Sequence, residues 1–210
     1  MKKFIIFLFL CFYCCYQDTE AQVTDTLIAE KKWEGSAALN FYFKKEDFFV
    51  SPVFKADRGW LHLEGRYNYE SENTFSVWGG YNFSGGNKLE YTITPMIGFV
   101  AGDIVGVAPG LEMNFGFHNF EFYSESEYFI APDNSEDNYF YTWTDLTWSP
   151  VDWLWIGYSG QRTRLLESEV ELQHGFLLGG GIKSWELTGY WYNPGTEDTY
   201  IVATLSWSFE

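Results

Sequence analysis

The chain has 210 residues, a formal net charge of −16 and 21% aromatic residues. A charge of that sign argues against a nucleic-acid partner, whose phosphates are held by Lys and Arg. The cysteines, Cys11, Cys14 and Cys15, all lie at the N-terminal end, so the rest of the chain has no disulfide framework, cysteine metal site or cysteine nucleophile.

The N-terminus reads as an export signal. Lys2 and Lys3 form its basic start, 4–16 is a nearly unbroken apolar run, and Thr19 and Ala21 are the small residues before a cleavage point. The run is shorter than the roughly 20 residues that a membrane-spanning helix needs. Leu10, Tyr13 and Cys14 precede the three cysteines, which argues against a lipoprotein signal. The expected layout is therefore a signal peptide at 1–21, a short periplasmic lead at 22–32 and one domain at 33–210. Charged or turn residues interrupt every later apolar run, so any further membrane crossing is made by strands.

From residue 33 onward the side chains alternate with the period of two that marks a strand. Segment 33–43 puts Ala37, Leu39, Phe41 and Phe43 on one face. Segment 48–56 follows, with Pro52 leaving a gap in its ladder. Segment 58–70 is the clearest, with Leu61, Leu63, Gly65, Tyr67 and Tyr69 opposite His62, Glu64, Arg66 and Asn68. Then come 74–83, with Phe75, Val77, Tyr81 and Phe83 outward, and 88–100, with Leu89, Tyr91, Ile93, Ile97 and Phe99 outward. Segments 104–115, 119–130 and 139–148 turn out Leu111 and Met113, Phe122 and Tyr128, and Phe140 and Leu146. The remaining segments are 153–164, 170–183, 185–192 and 199–209, the last with Leu205, Trp207 and Phe209 on one face.

About twelve such segments of roughly ten residues make an all-β fold, a transmembrane antiparallel up-and-down β-barrel. Alternation alone also fits a water-soluble β-protein with its apolar face buried. The export signal, the aromatic content and the C-terminal strand favour the barrel. Alternate connections agree with it. Those at 57–59, 84–87, 116–118, 149–152 and 183–184 are short, as periplasmic turns are. Those at 132–138, 165–169 and 193–198 are longer and acidic, although 44–47 and 70–73 are short.

Two segments, DRGWLHLEGRYNYE from Asp57 and WGGYNFSGGN from Trp78, carry a family resemblance. From about residue 33 the chain resembles small Gram-negative outer-membrane β-barrel proteins. The resemblance implies the fold, an outer-membrane location and outer-membrane lipids as surroundings. It also implies that the last strand, with Leu205, Trp207 and Phe209, is read by the barrel-assembly machinery. Many such barrels end on the aromatic itself, whereas Glu210 follows here. No activity comes with the resemblance.

Projected inward, the strand phases give an acidic lumen. Its candidates are His62, Glu64, Arg66, Asn68, Glu90, Glu112, Glu121, Glu125, Glu127, Asp145 and Glu186, with Asn82, Thr92, Thr94, Asn114, Gln173 and Thr188 among them. Two readings stand. A wet or hydrogen-bonded lumen is polar in any case. Alternatively, carboxylate rings make a cation-preferring path for small solutes or ions. Arg66 and His62 limit the second reading by pairing with acids on adjacent strands. Bulky Trp78, Trp143, Tyr123 and Tyr190 also face inward and narrow the path. Arg162 and Arg164 share the outward phase of Ile156 and Tyr158. Either a bulge at Gly160 turns Arg162 inward, or both arginines sit at the extracellular rim.

A lipid-acting enzyme is the competing class. It needs a histidine beside a nucleophile, and His62, His118 and His174 are the choices. No serine with supporting glycines accompanies His62. No metal-spaced histidine pair, phosphate loop or dinucleotide motif is present. The acidic loop with Asp133, Glu136 and Asp137 has two readings, a loose calcium site and a solvated loop, of which the second is preferred. No catalytic residue, metal or cofactor is expected.

Overall fold

The computed structural model describes residues 32–165 and 171–210. The expected signal peptide and all but the last residue of the expected lead lie outside the described residues. The strands are β1 (Glu34–Phe43), β2 (Phe48–Arg58), β3 (Leu61–Tyr67), β4 (Phe75–Tyr81), β5 (Phe83–Gly85), β6 (Leu89–Ala101) and β7 (Gly106–Phe117). They continue as β8 (Phe120–Phe129), β9 (Tyr139–Val151), β10 (Leu154–Leu165), β11 (Glu171–Ile182), β12 (Trp185–Tyr192) and β13 (Tyr200–Phe209). Each pairs antiparallel with its sequence neighbour, apart from β4 and β5. Those two both pair with β6, so they are halves of one stave interrupted at Asn82. The sheet is a closed barrel of twelve staves.

Closure is made by β1 and β13, in register from Gly35↔Phe209 to Phe43↔Ile201. It removes the two open edges, whose unpaired N–H and C=O groups lipid cannot satisfy. Phe209 lies over Gly35, where a Cβ would stand 2.5 Å from its ring. Gly35 thus leaves the space in which the final aromatic lies against the first strand.

The two ends differ as expected. One carries tight turns, with Gly59, His118 and Lys183 in the left-handed region. The other carries the longer connections, including 68–74, 130–138 and 193–199. Outer-membrane barrels turn their tight-turn end to the periplasm, and the end with these tight turns is called the periplasmic end. The outer wall exposes large apolar groups along every stave. Near the periplasmic end Trp185 stacks on Trp207 at 6.0 Å, and Trp60 stacks on Tyr81 at 5.3 Å. At the other end Phe43 and Phe48 meet at 5.2 Å. These rings form two girdles around an apolar belt.

The interior is packed in two groups. Trp78, Met96 and Ala108 fill the side near β4, β6 and β7. Tyr42, Tyr192, Tyr200 and Val202 fill the side near β1, β12 and β13, where Tyr192 stacks on Tyr200 at 5.0 Å.

Two sequence expectations are corrected. Tyr69 was expected on the outer face. Instead β3 ends at Tyr67, and Asn68 adopts φ 51°, which breaks the alternation. The Tyr69 ring then lies 4.7 Å from the Arg66 guanidinium and meets Tyr141 edge-on at 6.1 Å. The suggested bulge at Gly160 is also absent. The β10–β11 register runs unbroken from Ser159↔Gly175 to Arg162↔Leu172, and the irregularity of β10 lies between Leu154 and Ile156. Ser159 and Gln161 point inward and are buried, which leaves Arg162 on the outer wall. The side chain of Arg164 lies outside the described residues.

Packing around Trp78 gives a test of the interior. A Cβ on Gly98 would lie 2.5 Å from the Trp78 ring, and one on Gly110 would lie 2.9 Å away. Gly98→Ala should therefore cost about 1–3 kcal/mol, the usual penalty of overpacking. Gly65→Ala, with nothing within 4 Å of the added methyl, should change little. Urea midpoints, read from the heat-shifted gel mobility of the folded barrel, would check both.

Candidate functional site

β3 alternates so that His62, Glu64 and Arg66 enter the lumen at successive levels. β2 places Asp57 opposite His62 and Lys55 opposite Glu64. Facing them are Glu112 on β7 and Tyr123, Glu125 and Glu127 on β8. Three staves (β4 with β5, β6 and β7) separate β3 from β8 along the shorter arc. A bond between β3 and β8 therefore crosses the lumen as a chord.

Arg66 makes that chord. Its Nη1 donates to Glu125 Oε1 at 2.6 Å and to Glu127 Oε2 at 3.3 Å, while its Nε donates to Glu64 Oε2 at 2.6 Å. The guanidinium lies between two rings, 4.5 Å from Trp78 and 4.7 Å from Tyr69. Stacking of this kind favours a desolvated cation, and Arg66 is only 3% exposed. Lys55 makes a second chord. Its Nζ lies 2.5 Å from Glu112 Oε2, 3.3 Å from Glu64 Oε1 and 3.3 Å from the Tyr123 hydroxyl.

Other groups complete the layer. Both ring nitrogens of His62 are held by carboxylates, Nδ1 by Asp57 and Nε2 by Glu64, each at 2.8 Å. Glu70 reaches in from the loop after β3 and accepts from Ser76 Oγ at 2.6 Å and Trp78 Nε1 at 3.2 Å. On the far side, Asp145 accepts from Trp143 Nε1 at 2.7 Å, Ser159 Oγ at 2.5 Å and the Tyr190 hydroxyl at 3.2 Å. Gln161 donates to the Tyr192 hydroxyl at 3.0 Å, and Tyr200 donates to Gln173. Asn68 sits at the extracellular margin, half-buried, and donates to the Val50 carbonyl at 3.1 Å.

Below this layer the lumen opens toward the periplasm. A cavity of about 260 Å³ is lined by Glu121, Asp145, Trp155, Glu186, Thr188 and Tyr190, among others. Glu90 lines a neighbouring opening with Asn114 and His118. Asn114 donates to Glu121 at 2.6 Å. Among the described residues, Glu90, Glu121 and Glu186 have no cationic partner. The lumen thus divides in two. Glu64, Glu112, Glu125 and Glu127 surround Lys55 and Arg66, whereas the periplasmic acids stand unneutralised.

Lys55, Asp57, Glu70 and Tyr69 were absent from the sequence candidates. Phase identifies two of them, since Phe54 and Ala56 face outward and so place Lys55 and Asp57 inward. Glu70 and Tyr69 depend on a loop folding back, for which alternation carries no signal. The carboxylates that pair with Arg66 also differ from the expectation of adjacent strands. Glu64 on the same strand and Glu70, 3.9 Å from Nη1, are local, whereas Glu125 and Glu127 lie across the lumen.

The cluster's metal-binding capacity is already taken up. Ligand atoms of His62, Glu64 and Glu112 come within 4.8 Å of one another. The Lys55 ammonium contacts both glutamates and supplies the positive charge there.

No protein-family model matches the chain, and no curated protein matches its sequence. Solved structures do match. The KdgM porin aligns with a TM-score of 0.62 at 12% identity, over 83% of this chain and 99% of that one. The same porin in complex with disordered oligogalacturonate gives 0.60 over the same shares, at 12% identity. The outer membrane protein Omp33 of Acinetobacter baumannii gives 0.50 at 12% identity, over 86% of this chain and 99% of that one. The chain has the fold of these outer-membrane β-barrels. The likeness to these proteins is one of fold, and it agrees with the apolar belt, the girdles and the polar interior.

Arg66 is the member whose loss should cost most. Arg66→Ala leaves buried Glu64, Glu125 and Glu127 without their shared cation, and breaking such a pair costs about 3–5 kcal/mol. Adding Glu125→Gln and Glu127→Gln to that variant should recover part of the loss, because the stranded charges are then gone. Urea titration of the single and triple variants would show whether the deficit shrinks.

Proposed function

We propose that this barrel is a narrow transport barrel whose lumen prefers small cationic or neutral solutes. The observation that carries the reading is the separation of charge along the lumen. Its central cations, Lys55 and Arg66, are taken up in cross-lumen pairs, while Glu121, Glu186 and Glu90 line the periplasmic half with no counter-ion among the described residues. In a confined path with low-dielectric walls, such carboxylates attract cations even after screening. The cross-lumen layer acts as the constriction and sets the size limit. A polyanion of the kind bound in the KdgM complex is disfavoured by this lining.

His62 does not suit an enzyme. It lies in the lumen, away from the lipid face, and carboxylates occupy both of its ring nitrogens. A closed barrel with a structural or binding role is the second reading. It is favoured by interior side chains such as Tyr192, Val202 and Phe129, which are almost wholly buried.

Conductance in a planar bilayer under a salt gradient tests the proposal. The expected reversal potential is cation-selective, and Glu121→Gln with Glu186→Gln should move it toward zero. Anion selectivity would overturn the reading. A barrel without conductance would assign the chain to the closed class.

Export and assembly belong to the same reading, with residues 1–21 as the removed signal and the last strand as the segment handled by the assembly machinery. Phe209 ends the outward row Leu205, Trp207, Phe209 and rests on Gly35 at the seam. Phe209→Asp should reduce the heat-modifiable barrel recovered in membranes by severalfold, as lipid-facing charge is costly. Normal insertion of that variant would leave Phe209 a packing role alone.

A further inference from the structure

The outer wall carries one polar island. On most described strands the outward positions are aliphatic, aromatic, Gly, Ala or Pro. On β8 to β11 they include Ser124, Ser126, Thr142, Thr144, Arg162 and His174. Register makes them contiguous. One row runs Ser124↔Thr144↔Gly160↔His174, and the next runs Ser126↔Thr142↔Arg162↔Leu172. An apolar row lies below, with Phe122, Leu146, Tyr158 and Phe176, and the row above runs Tyr128↔Phe140↔Arg164, the Arg164 side chain lying outside the described residues.

The hydroxyls satisfy one another. Ser124 and Thr144 meet at 3.1 Å, Ser126 donates to Thr142 at 3.0 Å, and Thr142 donates to the Glu125 carbonyl at 2.9 Å. Arg162 differs. It is exposed on the wall, with no hydrogen bond or ion pair to any described residue. It stands three residues below the end of β10, about 10 Å along the strand at 3.3 Å per residue. The next row up carries Tyr128 and Phe140, so Arg162 stands one row inside the aromatics at the end with the longer connections. A lipid-facing arginine is costly there unless an anion meets it.

The geometry points to the phosphate-bearing headgroup of an outer-leaflet lipid as the occupant of this island. Arg162 supplies the fork that matches a phosphate. His174 in the next row has ring nitrogens that can reach the headgroup, whereas Ser126 and Thr142, whose hydroxyl protons are already donated, offer only lone pairs to the headgroup's own donors. Charge disfavours a second copy of the chain. A two-fold contact through the island would bring Arg162 toward its own image, and the described strands turn no carboxylate outward to answer it. The inference is independent of what the lumen does.

The test uses the protein folded in vesicles, with folding of each variant first verified by heat-shifted mobility. The probes are phosphorylated lipid A and the same lipid with its phosphates removed, each mixed into phosphatidylcholine. Lipid carried through purification is then counted by native mass spectrometry. The unchanged protein should retain the phosphorylated probe over the dephosphorylated one. Arg162→Gln should retain it about tenfold more weakly, the effect of losing one charge-assisted contact. Arg162→Lys should recover part of the binding. Lys88→Gln, at a periplasmic turn, should change nothing. Equal retention of both probes, or retention unaffected by Arg162→Gln, would overturn the assignment. Disulfide-linked dimers of Ser126→Cys in vesicles free of lipid A would overturn it too, giving the island to a second copy.

Discussion

A backbone crossing hydrocarbon has no water to satisfy its N–H and C=O groups, and every other feature of this barrel depends on that constraint. Pairing β1 with β13 meets it at the last open edge. Once the ring is closed, each strand has one face toward lipid and one toward the lumen. Apolar residues take the first. Nearly all of the polar and charged side chains of the strands are left to the second, where they must find partners among themselves. The ion-pair layer is thus a consequence of closure as much as a functional device.

Width decides how that interior is filled. Barrels of about eight strands are filled by ordinary side chains reaching the middle. This one has twelve staves, so short side chains would leave a water path at every level. At the level of Arg66 the gap is bridged by the longest cationic side chains from one wall and glutamates from the other. Trp78 supports the bridge from below the guanidinium, and it fits because Gly98 and Gly110 give it room. Toward the periplasm, Glu121 and Glu186 have no long cation opposite, and a cavity remains. The position of two cations therefore separates a neutralised constriction from an acidic vestibule.

The period of two made the facing of most residues legible, from Leu39 in the first strand to Phe209 in the last. It failed where the backbone leaves the strand. Asn68 in the left-handed region turned Tyr69 and Glu70 over the lumen, and Asn82 broke one stave into β4 and β5. Gly160 shows the opposite error, since a glycine in a strand suggested a bulge where the ladder is regular. The inward residues of the site were legible as a set, but their pairing was not. Alternation is a local property, whereas the contact of Arg66 with Glu125 depends on ring size and register. Pairing by Arg66 and His62 was allowed for in the sequence, but Lys55, which neutralises Glu112 and Glu64, was not.

Membrane barrels also change which departures carry information. In a soluble protein a buried polar group calls for explanation. On a lipid-facing wall an exposed one does. The serines and threonines of β8 and β9 explain themselves, because each hydroxyl finds another across the strand pair or a backbone carbonyl. Such a ladder is tolerable in hydrocarbon whatever lies outside it. Arginine has five donors and a full charge, more than a strand face can satisfy. Among the described residues none meets Arg162, and the proposed lipid phosphate supplies the anion it lacks there. The same rule that drives Arg66 into a carboxylate cage inside the barrel thus gives Arg162 an opposite address.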